Sequence, residues 1–228
     1  MSAGSFDPVS LAIVLGLLAL APLAVVMTTS FMKIAVVLSL VRNAMGVQQV
    51  PPNMVLYGLA LILTAYVMGP VAVQMGQELR AVREAPASVV APGGKPVDQM
   101  DRVIEAVGRG VEPMRGFMFK HSHPEQRDFF IRSARQLWGE EQARDLKEND
   151  LLVLVPAFMV SELTAAFQIG FLLYLPFVVI DLIVSNILLA MGMMMVSPVT
   201  ISMPLKLFLF VMVDGWTRLI QGLVLSYS

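Results

Sequence analysis

The last third of the chain combines strong hydrophobicity with charge, and this combination restricts the possible fold more than any other feature. Residues 151–212 are apolar enough to leave water, yet they contain Glu162, Asp181 and Lys206. A charge inside an apolar membrane segment costs on the order of 2.5–3.5 kcal/mol on insertion scales, so it is rarely kept without a partner or a task. The segment is therefore more than a simple lipid anchor.

The other charges are concentrated in the middle of the chain. Of the 228 residues 57% are hydrophobic and only 14% are charged, whereas ordinary soluble domains carry about 25% charged residues. Twenty-five of the 33 Asp, Glu, Lys and Arg residues lie between Gln77 and Asp150. The pattern predicts an all-α protein with three parts. These are an apolar helical hairpin over 1–76, a small polar helical subdomain over 77–150, and apolar helical hairpins with a methionine-rich loop over 151–228.

Composition and motifs exclude several functions. The net charge of −1 offers no basic surface for nucleic acid, and the absence of cysteine excludes disulfides, iron–sulfur clusters and thiolate metal sites. His121 and His123 lack nearby acidic or cysteine ligands at helical spacing, so surface histidines are favoured over a metal site. No catalytic triad or phosphate-binding loop is visible, and SELTAAF and VIDLI do not match the aspartate motifs of an intramembrane protease. We expect no enzyme activity, no metal and no cofactor.

The apolar front predicts a helical hairpin. Residues 9–32 are uncharged and exceed the roughly 20 residues that a membrane helix needs. No basic n-region precedes them, so a cleaved signal peptide is disfavoured. A second uncharged run covers 52–77, after a connector with a Pro-Pro pair. Lys33 and Arg42 make this connector the basic side, which the positive-inside rule assigns to the cytoplasm, leaving the polar middle on the periplasmic side.

Two helices are predicted in the polar middle. Residues 98–110, DQMDRVIEAVGRG, have apolar positions near helical spacing and end in glycines that predict a helix stop. Pro124 in a first turn, followed by apolar residues at helical spacing and then Gly139, predicts an amphipathic helix. In the apolar back, Pro176 either kinks one long helix or separates two. After a break over 197–204, a last helix is predicted towards residue 225.

The charges and methionines of the back each admit two interpretations. Glu162 and Lys206 have opposite signs and lie in different apolar segments, so an ion pair within or between subunits would offset the desolvation of each. Alternatively, Lys206 extends to the membrane surface and Glu162 reaches solvated groups. Asp181 belongs to the same network or caps a helix. The sequence MGMMMV before a Ser-Pro break is either ordinary packing or, around an axis of several copies, a ring of soft side chains.

Several long motifs carry a family resemblance. The back contains PAFMVSELTAAFQIGF, YLPFVVIDL and LAMGMMMVSPVTISMPLKLFLFVMVDGW, and the front contains SFMKIAVVLSLVRNAMGVQQVPPNMVLYGLALILTAYVM. These motifs, with PMRGFMFKH in the middle, resemble the SctR/FliP family over residues 25–228. This family comprises export-gate membrane proteins of bacterial type III secretion systems in flagella and virulence injectisomes. Flagellar members usually begin with a cleavable signal sequence, so the N-terminus here favours the injectisome branch.

The resemblance implies a core subunit of a protein-conducting gate for unfolded secretion substrates across the bacterial inner membrane. It implies a pentamer, S/Q-type and T-type (FliR-like) subunits, rod or needle components, and a cone-like assembly raised to the periplasmic side of the membrane. By resemblance, an intersubunit ion pair maps onto Glu162 and Lys206, and Asp181 falls in the matching IDL motif. A pore gasket maps onto four methionines: Met191, Met193, Met194 and Met195. The alternative function is a small-solute or ion transporter or channel.

Overall fold

The chain folds into α-helices, as the all-α prediction states. The structure is a computed structural model that describes residues 8–47, 50–84, 99–193 and 195–228. Every regular element in these ranges is helical. In chain order the helices are α1 Pro8–Thr28, α2 Phe31–Ala44, α3 Asn53–Glu84, α4 Gln99–His121, α5 Pro124–Trp138, α6 Leu151–Ala190, α7 Pro198–Met212 and α8 Gly215–Leu225.

Two of these helices are long and apolar enough to cross a membrane. They are α3, over Asn53–Ala81, and α6, over its full 40 residues. Two further spans are possible if bent helix pairs count as one span each: α1 meets α2 at 77°, and α7 meets α8 at 62°. The described part of the chain thus contains two to four candidate spans, which agrees with a multi-pass membrane protein.

Of the two alternatives that the sequence left open for Pro176, the structure shows one long helix, whereas the break predicted at 197–204 is mostly helical. Pro176 lies inside α6, so the residues on both sides of it form one helix. α7 begins at Pro198 and contains Pro204, so the predicted break over 197–204 is much shorter than expected. The predicted last helix is instead interrupted at Asp214. Helices in apolar surroundings tolerate proline because neighbouring helices and side chains satisfy the freed backbone groups.

The predicted stop at the glycines of residues 98–110 is wrong, because α4 continues to His121. A Cβ on Gly110 would lie 3.0 Å from Leu79 Cδ2, so this glycine allows α4 to pack closely on α3. The predicted helix from Pro124 is confirmed as α5. It ends at Gly139, whose φ of +88° is readily available only to glycine, and whose N–H donates to Arg135 O.

The core forms around α2, which packs against α3 and α6. Four residues at helical spacing are fully buried along one side of α2: Ile34, Val37, Leu38 and Val41. On the opposing helix, a Cβ on Gly170 would lie 2.3 Å from Leu40 Cδ1. A glycine at this position permits the short distance between α2 and α6, the type of contact that drives helix packing in membranes.

α4 and the α4–α5 turn cover the first three turns of α6. Met118 of α4 is buried with Leu154 and Phe158 of α6 in a separate apolar cluster. At the α4–α5 turn, the His123 N–H donates to Ser161 Oγ over 2.9 Å. Hydrophobicity alone marks all of α6 as a candidate span, whereas these contacts place charged helices beside its first 11 residues.

Candidate functional site

The turn between α6 and α7, residues 191–197, is called here the methionine turn. α6 ends at Ala190, and Gly192 follows in the left-handed conformation with φ +74°. Its N–H bonds to Leu189 O, and the next N–H bonds from Met193 to Leu188 O, both over 3.0 Å. This pair of bonds is a Schellman motif, which ends a helix and depends on a residue that tolerates positive φ.

The methionine turn presents its side chains outward. Met191 is 68% exposed, Met193 is 42% exposed and Met195 is 100% exposed. Met194, the fourth residue assigned to the gasket by resemblance, lies outside the described residues. The three described methionines are therefore not packing a core within this chain, so the gap-filling interpretation does not account for them.

A first buried ion pair joins the two helices that flank the methionine turn. Lys206 Nζ lies 2.6 Å from Asp181 Oδ2, and Ser202 Oγ donates to Asp181 Oδ1 over 2.6 Å. Lys206 Nζ also donates to Ala44 O over 3.4 Å, at the negative end of the α2 dipole. We call Lys206, Asp181 and Ser202 the Lys206 cluster. It joins α6 to α7 and both to the end of α2.

A second buried ion pair lies at the opposite end of the apolar core. Lys33 Nζ of α2 lies 3.1 Å from Glu162 Oε1 of α6. The Tyr227 hydroxyl donates to Glu162 Oε2, and the ammonium of Lys33 lies 3.7 Å from the centre of the tyrosine ring. The Tyr227 ring also stacks on Phe117 of α4, with 5.8 Å between centroids. We call Lys33, Glu162 and Tyr227 the Lys33 cluster.

Two groups beside the membrane segments have shifted pKa values. Burial is the largest cause that raises the pKa of Tyr227 far above its ordinary value, and the charge and hydrogen bond of Glu162 add to it. His121 lies edge-on to the Tyr227 ring, 5.1 Å away. Burial, and then the positive charges of Lys33 and Lys120, lower the pKa of His121 to about 4. Both groups therefore stay neutral at physiological pH.

The two clusters lie at different heights in the bundle. Glu162 and Asp181 are 19 residues apart in α6, which corresponds to about 28 Å of helix. On α2, which contacts both clusters, Lys33 and Ala44 are 11 residues apart, or about 16 Å. The charged pairs thus lie near the two ends of α2.

The structure does not bring Glu162 and Lys206 together within the chain. Each has a different partner, Lys33 for Glu162 and Asp181 for Lys206. The pair between subunits remains a prediction. The snorkelling alternative for Lys206 is not what the structure shows, since this residue is 3% exposed.

Sequence reasoning missed two partners of Glu162. Lys33 interrupts an apolar run, which is the same signal that singles out Glu162 and Lys206. Tyr227 had no comparable signal. The two histidines serve packing and backbone contacts, and within the described ranges no group of three or more His, Cys, Asp or Glu side chains is arranged to hold a metal ion.

The fold and site define a class: an all-helical membrane protein with ion pairs inside an apolar bundle and an exposed, methionine-rich turn. Residues 14–223 match the FliP family, so the chain belongs to this family. The resemblance found in the sequence is thereby confirmed.

Curated relatives match over nearly the whole chain. The chain is 53% identical over 222 residues to the Yop proteins translocation protein R of Yersinia pestis, covering 97% of each protein. It is 46% identical over 227 residues to the harpin secretion protein HrcR of Erwinia amylovora, covering 100% of each. It is 45% identical over 222 residues to the virulence protein YscR of Salmonella typhimurium, covering 97% of this chain and 98% of that protein. These matches support the injectisome branch and give no support to a small-solute transporter.

Proposed function

We propose that this chain is a core subunit of the type III secretion export gate, which conducts unfolded secretion substrates across the bacterial inner membrane. Membership of the FliP family and the printed names of the relatives, which refer to translocation, secretion and virulence, support this function. The structural observation that carries it is the methionine turn, whose side chains point away from the chain's own core.

The turn has the properties that a seal needs. Methionine is unbranched, flexible and apolar, so it adapts to irregular surfaces. If several copies surround an axis, their methionine turns meet and exclude water and ions, and they can deform around a passing polypeptide. The Schellman motif fixes the end of α6 as far as Met193, and the Lys206 cluster joins the helices on either side of the turn.

The proposed mechanism is conduction without covalent chemistry by this chain. We infer a pentamer that joins S/Q-type and T-type (FliR-like) subunits in a cone-like pore carrying the rod or needle. We place the polar subdomain of residues 77–150 on the periplasmic side and the assembled core raised towards it. The contact of Lys206 with Ala44 supports the orientation, because it puts Lys206 at the end of α2 that carries Arg42, and the positive-inside rule assigns basic residues to the cytoplasmic end. Lys33 lies in the other cluster and does not contribute to this end.

The intersubunit pair of Glu162 and Lys206 also remains part of the proposal, with a geometric condition. The two residues belong to clusters about 28 Å apart along α6. A neighbouring copy must therefore be displaced along the axis, or the pairs must exchange partners on assembly. Asp181, whose side chain is 33% exposed, is the partner that solvent can more readily replace.

Alanine substitution of the methionine turn tests the gate. Replacing Met193, Met194 and Met195 should leave assembly intact and raise ion leakage several-fold, because the shorter side chains no longer fill the axis. The measurement is ion flux into cells or vesicles that contain the purified complex. Alanine at Met54 and Met212, which are 84% and 66% exposed outside the turn, is the matched control and should not leak. Unchanged permeability in the turn variant would contradict the seal.

A further inference from the structure

The methionine turn concentrates accessible sulfur at one place in the chain. The chain has 17 methionines and no cysteine, so thioethers are its only sulfur groups. Four of the 17 lie within residues 191–195, and the three that the structure describes are exposed, Met195 completely. Met45, Met68 and Met118, by contrast, are buried. An oxidant dissolved in water therefore meets several thioethers at once in this turn.

A thioether reacts with a peroxide by a two-electron oxidation. The sulfur lone pair attacks one oxygen of hydrogen peroxide, an S–O bond forms and the O–O bond breaks. The second oxygen leaves with both protons as water, and the methionine becomes a sulfoxide. No cysteine competes for the oxidant within this chain. The exposed methionines are therefore its accessible targets for this chemistry.

Oxidation removes the property on which the proposed seal depends. A thioether is apolar and deformable, whereas a sulfoxide is polar and disrupts methionine-rich contacts. Where the turns of several copies meet, each sulfoxide adds an oxygen that favours contact with water. Water is then retained at an axis from which apolar side chains would exclude it.

We propose that the methionine turn is an oxidation site, through which peroxides open the closed gate to ions, and that reduction of the sulfoxides closes it again. The inference rests on the proposed function and adds the regulation of its seal. In the reduction, two thiols are oxidised to a disulfide and the sulfoxide oxygen leaves as water. The Schellman motif uses only main-chain groups, so the end of α6 keeps its hydrogen bonds through both steps.

Mass spectrometry of the purified complex with its S/Q-type and T-type subunits tests the site. After brief treatment with hydrogen peroxide, Met191, Met193 and Met195 should be oxidised about tenfold faster than the buried Met45 and Met118, because peroxide reaches exposed sulfur from water. Rates in the turn that are no higher than those of the buried pair would overturn the inference, since the assembled turn would then be closed to the oxidant.

Ion flux into phospholipid vesicles that contain the complex tests the consequence. Peroxide should raise the flux several-fold, and methionine sulfoxide reductases for both sulfoxide epimers, supplied with a dithiol, should restore the starting value. The leucine variant combines four substitutions: Met191→Leu, Met193→Leu, Met194→Leu and Met195→Leu. It keeps apolar side chains without sulfur, so its flux should not respond to peroxide. Met54→Leu with Met212→Leu removes exposed sulfur outside the turn and is the matched control, which should respond as the wild type does.

The wild-type complex alone decides the question if the leucine variant does not assemble. An oxidised turn without a rise in flux, or a rise that the reductases do not reverse, would overturn the inference. A rise that persists in the leucine variant would also overturn it, because another group would then be responsible. The alanine variant of the turn separates this failure from that of the gate. A leak with alanine but not with sulfoxide removes only the regulation, whereas no leak with either contradicts the seal itself.

Discussion

The Lys33 cluster and the Lys206 cluster both bury an ion pair in an apolar bundle, but they differ in how completely they enclose it. In the Lys33 cluster the two side chains are 5% and 4% exposed, and Tyr227 covers the carboxylate with its hydroxyl and the ammonium with its ring. In the Lys206 cluster the lysine is 4% exposed, whereas the Asp181 side chain is 33% exposed.

This difference separates a fixed junction from a site that can change partners. The Lys33 cluster joins α2, α4 and α6, so it holds the polar subdomain to the core. The Lys206 cluster joins the helices on either side of the methionine turn, and the side chain of one of its partners, Asp181, is partly exposed. A fully enclosed pair is costly to open, because each separated charge keeps its desolvation penalty. A partly exposed pair loses less stabilising free energy when one of its charges changes partner.

Removing the charge of Glu162 should have the largest effect. Glu162→Gln leaves Lys33 buried without a counter-charge, which costs about 3–5 kcal/mol. For a chain of this length each kcal/mol lowers Tm by about 2–4 °C, so we expect a loss of roughly 6–20 °C in detergent. Combining Lys33→Met with Glu162→Met should recover most of the loss, since no charge remains unpaired. A Tm within 2 °C of the wild-type value for Glu162→Gln would contradict the enclosed junction.

Asp181→Asn should cost less, about 1–2 kcal/mol, or roughly 2–8 °C in Tm. The amide keeps one acceptor oxygen, for Ser202 or for Lys206, in place of the two carboxylate oxygens that they contact, and solvent reaches the site. Thermal unfolding in the same detergent measures the difference between the clusters. Asp128→Asn, on the exposed side of α5, is the control for loss of a surface carboxylate and should be neutral. Equal losses of Tm in Asp181→Asn and Glu162→Gln would show that the different exposure of the two ion pairs does not affect the free energy of unfolding.

The smallest expected effect is a pH dependence of folding stability that arises from His121, which lies beside the Lys33 cluster. The pKa of His121 is lowered to about 4 in the folded chain, whereas an unfolded histidine titrates near 6.5. Between these values the unfolded chain binds a proton that the folded chain does not, so stability falls as pH decreases from 6.5 towards 4 and is constant above 6.5. His121→Gln should reduce this fall by a few degrees in Tm.

His123→Gln is the control for the pH effect, because its side chain is exposed and no histidine is part of the Lys206 cluster. Melting curves at pH 7.5 and pH 5 measure the change for each variant. An identical acid loss in the wild type and His121→Gln would contradict a role for this histidine at the junction.

Helix content could be predicted from the sequence because hydrophobic runs and helix-end signals are local. α5 shows this well, with Pro124 at its start and Gly139 at its end. The continuity of α4 through Gly110 and of α6 through Pro176 could not be predicted in the same way. In both cases packing against other helices overrides a local tendency to stop: Gly110 is needed for contact with Leu79, and Pro176 is supported within the bundle.

The candidate site also contains features that the sequence can predict and features that it cannot. The methionine turn is contiguous in sequence, so both its position and its exposed character could be anticipated. The charged residues could be recognised as a pairing problem, but not their partners. Whether Glu162 pairs with Lys33 or with Lys206 depends on which helix packs against α6 and on the position along α6 that it faces. The packing of α2 against α6 at Gly170 sets both.

The sequence separation within the Lys33 cluster has a consequence for biosynthesis. Lys33 and Glu162 are 129 residues apart, so α2 is made long before the helix that neutralises it. At 5–20 residues per second, Lys33 waits on the order of ten seconds for its partner to be synthesised. During this interval its ammonium must stay in contact with water or lipid headgroups. The final depth of α2 is therefore reached only after α6 has been inserted, and the first hairpin of the nascent chain is a temporary arrangement.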